Sequence, residues 1–150
     1  MKRLLTLFLL SIPLSSLFAQ TAQDSIESEK RTYLQALARQ IEGSENKPAG
    51  EVFRNIKILK NTAASRLLNI MNFGYSRSLG VGCTHCHLPG DWASDEKPTK
   101  QAAREMVRMA ETINTTLLPN IESLRSENPI VNCTTCHRGQ TQPALSLPPR

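Results

Sequence analysis

Gly82-Cys-Thr-His-Cys-His-Leu-Pro-Gly90, "GCTHCHLPG", sets two cysteines one short turn apart with a histidine directly after the second. The block returns fifty residues later in "NCTTCHRGQ", at Cys133, Cys136 and His137. The aligned heptads, Val81 to His87 and Val131 to His137, agree at five of seven positions. Cys-x-x-Cys-His is the pattern of covalent c-type haem attachment. Two thiols must reach the two vinyl groups on one side of a porphyrin to form thioethers, and the adjoining histidine must swing under the ring to bind iron. Both conditions are met twice, which predicts two covalently bound haem c groups on Cys83, Cys86 and His87 and on Cys133, Cys136 and His137.

The competing readings of the same cysteines are weaker. Paired Cys-x-x-Cys knuckles also build four-cysteine zinc sites. Zinc does not call for a histidine after each pair, and the 46 residues between knuckles are many for a small ribbon. Thioredoxin-like dithiols belong to a βαβ context that this chain lacks.

The N-terminus reads as an export signal. Lys2 and Arg3 precede an apolar run from Leu4 that continues past Pro13 to Phe18 and ends at Ala19. This reads as a cleavable signal peptide, residues 1–19, and so predicts a periplasmic protein; an uncleaved anchor is the alternative. No cysteine follows the run, so no lipid attachment is expected. Removing the leader lowers the formal net charge from +5 to +3. That surplus is small and scattered among acidic residues, which argues against nucleic acid as a partner. One Trp, two Tyr and four Phe in 150 residues are few rings for a core, as suits a chain whose interior is partly filled by a bound apolar group.

Ligands for the second axial position follow by elimination. Of three histidines, two belong to the attachment blocks and His85 lies inside the first loop, so two bis-histidine sites are impossible. Beyond the initiator the methionines are Met71, Met106 and Met109. Met71 sits in a predicted helix over residues 61–78, with Asn61 or Thr62 as N-cap, and has Leu67, Leu68 and Gly74 at helical-neighbour spacings. A second helix is predicted from Pro98, a good first-turn residue, to about Asn114. On it Met106 has Ala102, Ala103, Met109 and Ala110 as neighbours, a low surface against which a porphyrin can lie. Met109 borders Glu105 and Thr112 and reads as packing. Any of these methionines could instead simply fill a core gap.

A helix bearing Met, a turn, "SLGVGCTHCH", then "DWASDEKPTKQAAREMVRMAETIN" and "VNCTTCHRG" resembles the photosynthetic reaction-centre cytochrome c subunit family over roughly Glu51 to Gly139. The resemblance implies a mainly α, multihaem fold of helix-turn-Cys-x-x-Cys-His units and an electron-transfer role. It also implies that the helix before each block supplies the axial methionine: Met71 for the first haem and Met106, rather than Met109, for the second. Members of that family typically carry four haems, so two motifs correspond to a half-module of about half the length, and docking to a photosynthetic reaction centre does not follow from the likeness.

The rest of the chain organises around these blocks. Residues 20–50 read as an N-terminal helix and linker, with Ile26, Tyr33, Leu34, Leu37, Ala38 and Ile41 at helical spacing over Asp24 to Glu42, a stripe expected to pack on the core. Residues 43–50, "GSENKPAG", are the linker, 51–140 the dihaem domain, and 141–150 a Pro-rich irregular tail. The second unit has a longer connector, Thr115 to Ile130, whose Leu117, Leu118, Ile121 and Leu124 could cover a haem edge, and Pro119 and Pro129 argue against one long helix. Arg104 and Arg138 are candidate propionate partners, with Tyr75 and Trp92 as hydrogen-bond donors. Two saturated His/Met haems pass electrons without binding substrate. The expected function is therefore an exported single-electron carrier, not an enzyme, with redox proteins or a membrane electron-transfer complex as partners and no small-molecule substrate. The rival is a peroxidase-like haem enzyme or gas sensor with one open sixth position.

Overall fold

The computed structural model describes residues 14–146. The chain runs α1 (Leu14–Gln40), α2 (Ala49–Val52), α3 (Ala64–Asn69), a π-helical segment (Ile70–Ser76), α4 (Arg77–Leu79) and a 3-10 turn at Cys83–His85. There follow α5 (Pro98–Thr112), a second π segment (Ile113–Leu117), a 3-10 turn (Leu118–Asn120) and α6 (Cys133–His137). The fold is mainly α, as expected. Among the described residues β structure is limited to two isolated bridges, Pro48 with Ala63 and Leu88 with Asp91. The leader expected over residues 1–19 lies largely outside the described residues, as do Pro148 and Pro149 of the tail. The backbone of α1 begins upstream of the expected cleavage point after Ala19.

The core of side chains is thin. Among the described residues, the buried apolar ones are Ile41, Ala49, Ala64 and Leu67. Ile41 directly follows α1, so the apolar stripe of that helix does face the body. Leu34 and Leu37 from the same stripe line the principal cavity.

The start of α3 differs from expectation. Its N-cap is Ala63, not Asn61 or Thr62, and no side chain caps it. The linker does so instead: the Ala64 amide donates to the Lys47 carbonyl at 2.9 Å and the Ser65 amide to the Glu45 carbonyl at 3.0 Å. Orphan N–H groups of a first turn need acceptors, and backbone carbonyls serve as well as side-chain oxygens. The bridge from Pro48 to Ala63 holds the linker in place for this.

The π segment answers to the sequence. Leu67, Met71, Tyr75 and Leu79 recur every four residues, and all line the principal cavity. On an α-helix a four-residue step drifts by about 40° each time, which would carry Leu79 off the face that Leu67 occupies. The wider i→i+5 winding over Ile70–Ser76 counters this drift and keeps the column facing one way.

α5 is a strut between the two attachment blocks. At its start Thr99 Oγ1 donates to the His85 carbonyl at 2.7 Å, and Lys97 Nζ donates to the Thr84 carbonyl. Beyond its end the Asn114 side chain makes a two-way bond with Val131, donating to its carbonyl at 2.9 Å and accepting from its amide at 2.8 Å. Pro98 opens α5 as predicted. Helical winding continues past the expected end near Asn114 to Asn120, changing from α to π to 3-10. Pro119 is tolerated because it stands at the beginning of the 3-10 turn, where no N–H bond is required of it.

Candidate functional site

Met71, Cys83, Cys86 and His87 line one cavity of about 400 Å³, within the size range of cofactor sites. Its walls are largely apolar and include the Leu67 to Leu79 column, Leu34 and Leu37 of α1, and Ile56, Ile58 and Leu59. Trp92 stands edge-on to Tyr33 at 5.0 Å and tilted against His87 at 5.6 Å between ring centres. Two thiols, an imidazole and a thioether around one apolar cavity fit a covalently held haem.

His87 keeps one ring nitrogen free. His87 Nδ1 lies 3.1 Å from the Trp92 carbonyl oxygen. A carbonyl can only accept, so Nδ1 carries the proton and Nε2 keeps its lone pair. Burial pushes this imidazole down toward its neutral form, assisted by Lys100 and Arg104. His137 repeats the arrangement with Nδ1 3.0 Å from the Gln140 carbonyl.

The surroundings of three of the thiols disfavour the thiolate. Burial pushes Cys83 up, with Glu29 adding to the effect, and burial likewise raises Cys86 and Cys133. Reactive dithiols require the opposite shift, which removes support from the redox-dithiol reading. Nor are the four cysteines gathered into one tetrahedral set: among the described residues no group of three or more His, Cys, Asp or Glu converges.

The two blocks share five of seven residues yet fold differently, and the two differing positions supply the reason. Asn132 and Thr135 form a reciprocal cap: Asn132 Oδ1 accepts from the Thr135 amide at 3.1 Å, and Thr135 Oγ1 accepts from the Asn132 amide at 3.1 Å. Cys133–His137 is accordingly a short α-helix. Gly82 and His85 stand at the equivalent places and cannot do this. There the Glu29 carboxylate of α1 takes the Thr84 amide at 2.8 Å, packing where a Gly82 side chain would project, and the block is a 3-10 turn.

The second set of expected residues is more open. Met106 and Met109 are 49% and 48% exposed, so exposure does not separate them. Cys136 is exposed, and neither it nor Cys133, His137 or Met106 lines the first cavity. Leu117, Ile121, Leu124 and Ile130 are exposed too, so the connector leaves several apolar side chains open to solvent.

Between the units lies a tight seam. Ser78 and Thr134 share a hydroxyl contact of 2.6 Å, and the Gly139 amide donates to the Ser78 carbonyl at 2.8 Å. Tyr75 lines the first cavity on the π segment that touches α6. Burial, followed by the nearby Cys133 and Cys86, pushes its phenol up to about 12.

The expected propionate partners are distributed unevenly. Arg104 is buried, 6% exposed, and lines the cavity, but it bonds Asp95 Oδ1 at 2.8 Å and the Asn55 carbonyl at 3.3 Å. Arg138 is exposed and caps α6 in the left-handed region at φ 51°. Asp95 is a hub that also binds Lys57 at 2.8 Å and Asn55 Nδ2 at 2.9 Å. Of the functional residues that sequence reasoning did not single out, only the Asn132 and Thr135 cap had a local signature. Glu29, Asn114, Ser78, Asp95 and Lys100 act on partners that spacing alone does not reveal.

A model of the family described as photosynthetic reaction centre cytochrome C subunit matches residues 16–146. Cytochrome c-554 of Chloroflexus aurantiacus is 35% identical over 83 residues, 55% of this chain and 20% of that protein. The photosynthetic reaction center cytochrome c subunit of Thermochromatium tepidum is 32% identical over 96 residues, 63% of this chain and 22% of that protein. Its counterpart in Roseobacter denitrificans is 29% identical over 101 residues, 64% and 26% respectively. The matched stretch thus spans a fifth to a quarter of these relatives' length, less than the half expected from two motifs out of four.

Proposed function

The chain belongs to the photosynthetic reaction-centre cytochrome c subunit family, and from that premise we propose that it is an exported dihaem c-type cytochrome that relays single electrons. The observation that carries this reading is the meeting of Met71, Cys83, Cys86 and His87 on one apolar cavity, with His87 Nε2 left free by the bond from Nδ1 to Trp92. In this reading Cys83 and Cys86 would hold the first haem by thioethers, with His87 and Met71 as its iron ligands. Cys133 and Cys136 would hold the second, with His137 and Met106.

When bound, haem c supplies a one-electron ferric/ferrous couple, and methionine with histidine biases that couple toward a higher potential than stronger donors would. The residues around it exclude water, orient the imidazole and bring cationic side chains close. Both positions being filled by protein side chains, the chain acts as a carrier and not as an enzyme. Its donor and acceptor are redox proteins or a membrane electron-transfer complex reached from the periplasm. The names of the relatives suggest a reaction centre as one such complex. Among the described residues no helix is long and apolar enough to cross a membrane.

The test is haem content together with oxidised optical and magnetic circular dichroism spectra of protein matured with the c-haem attachment machinery. The expected result is two haems per chain, both low-spin, with a methionine-to-iron charge-transfer band of which Met71→Ala and Met106→Ala each remove about half. A high-spin haem in the wild type that binds carbon monoxide or peroxide directly overturns the carrier reading in favour of an enzyme or sensor.

A further inference from the structure

The carbonyl that orients His87 has a second donor. Trp92 O accepts from His87 Nδ1 at 3.1 Å and from Lys100 Nζ at 2.9 Å. Lys100 is 9% exposed, donates also to the Ser94 carbonyl at 2.6 Å, and has Asp95 Oδ1 at 3.5 Å as its counter-ion. The second site lacks this feature: among the described residues no lysine or arginine donates to the Gln140 carbonyl that holds His137.

The consequence is electronic. An acceptor on the outer nitrogen of a ligating histidine raises the basicity of the nitrogen that binds metal. An ammonium on the same oxygen draws density away from it, so the imidazole donates less to iron. A buried positive charge nearby also favours the less positive, ferrous state. Both effects have the same sign. The more exposed surroundings of the second block point the same way, since solvent access is a further control on potential.

Building on the dihaem reading above, we propose that Lys100 is a positioning residue for His87, acting through the Trp92 carbonyl, and that it holds the reduction potential of the first site above that of the second. An electron shared between the two sites then resides mainly on the Met71 side.

The experiment is a spectroelectrochemical titration of the haem-loaded full chain, comparing wild type with Lys100→Met, Lys100→Arg and Asp95→Asn. A variant with both Cys133→Ala and Cys136→Ala, loaded at the first block alone, assigns the two potentials. Lys100→Met is expected to lower the first potential and leave the second in place, and Lys100→Arg to restore it. Asp95→Asn, which removes the counter-ion, is expected to move the first potential upward and provides the reading if Lys100→Met does not fold. In the ferrous state of Lys100→Met the His87 Nδ1 proton resonance should move downfield, because Trp92 O then accepts from the imidazole alone. Two low-spin haems whose potentials stay fixed or shift together in these variants overturn the inference, as does a wild-type first site below the second. A chain without haem at Cys83 and Cys86 overturns the functional reading instead.

Discussion

Ser78 and Thr134, 56 positions apart, bring their hydroxyl oxygens to 2.6 Å. The adjacent backbone bond from the Gly139 amide to the Ser78 carbonyl makes this a seam, not an isolated contact. It joins the end of the Met71 helix to the helix that carries Cys133, Cys136 and His137. The position of the second attachment block is therefore set by direct contact with the end of the Met71 helix as well as by α5.

Gly80 is where that seam tolerates no side chain. It caps α4 at φ 67°, and a Cβ there would overlap the Gly139 carbonyl oxygen. Left-handed strain alone costs about 1–3 kcal/mol for a residue other than glycine. With the backbone overlap added, Gly80→Ala should lose at least about 2 kcal/mol in denaturant unfolding. Ser78→Ala, which keeps the backbone bond, should lose only about 1 kcal/mol.

Asn132→Ala removes the cap of the second block and should cost about 1 kcal/mol, with Asn132→Asp retaining most of the stability. Hydrogen exchange localises the effect. The Thr135 amide should lose protection while the Thr84 amide, held by Glu29, keeps it.

Glu29→Ala should do the reverse. The charged hydrogen bond to the Thr84 amide is worth about 1.5–2 kcal/mol, and Glu29→Gln, which still accepts, should cost less. In both variants exchange should rise at residues 83–86 and not at 133–137.

Acid should act through Asp95. Lys57 first, then Arg104 and Asn55, hold its carboxyl well below the usual carboxylate range. A depressed folded value means that the stabilisation is present above the unfolded value of about 3.9 and fades as pH falls toward the folded one. Wild type should therefore exceed Asp95→Asn in stability above about pH 4, and the two unfolding curves should converge in stronger acid. High salt should narrow the difference, because the carboxylate is solvent-exposed.

Residue type and spacing carried much of this protein into view. The paired Cys-x-x-Cys-His blocks, Pro98 at the start of α5, the apolar stripe of α1 and the Met71 helix all depend on local chemistry that a short window of sequence displays. The Asn132 and Thr135 cap was equally legible, being a side-chain signature within four residues. The N-cap of α3 departs from the expected Asn61 or Thr62 for the opposite reason: the acceptors of its first amides are the carbonyls of Lys47 and Glu45, and every residue has a carbonyl.

The same distinction separates what the amino-acid sequence determined from what only the tertiary structure decided. Composition, motif and periodicity pointed to the helical class, the proposed attachment residues and the short set of methionines proposed to complete them. The tertiary structure decided that Glu29 anchors the first block, that Ser78 meets Thr134, and that Lys100 and His87 share the Trp92 oxygen. Each of these is a hydrogen bond between a side chain or amide and a distant partner. Its geometry arises when packed helices bring the groups together, so the linear order of residues does not reveal it.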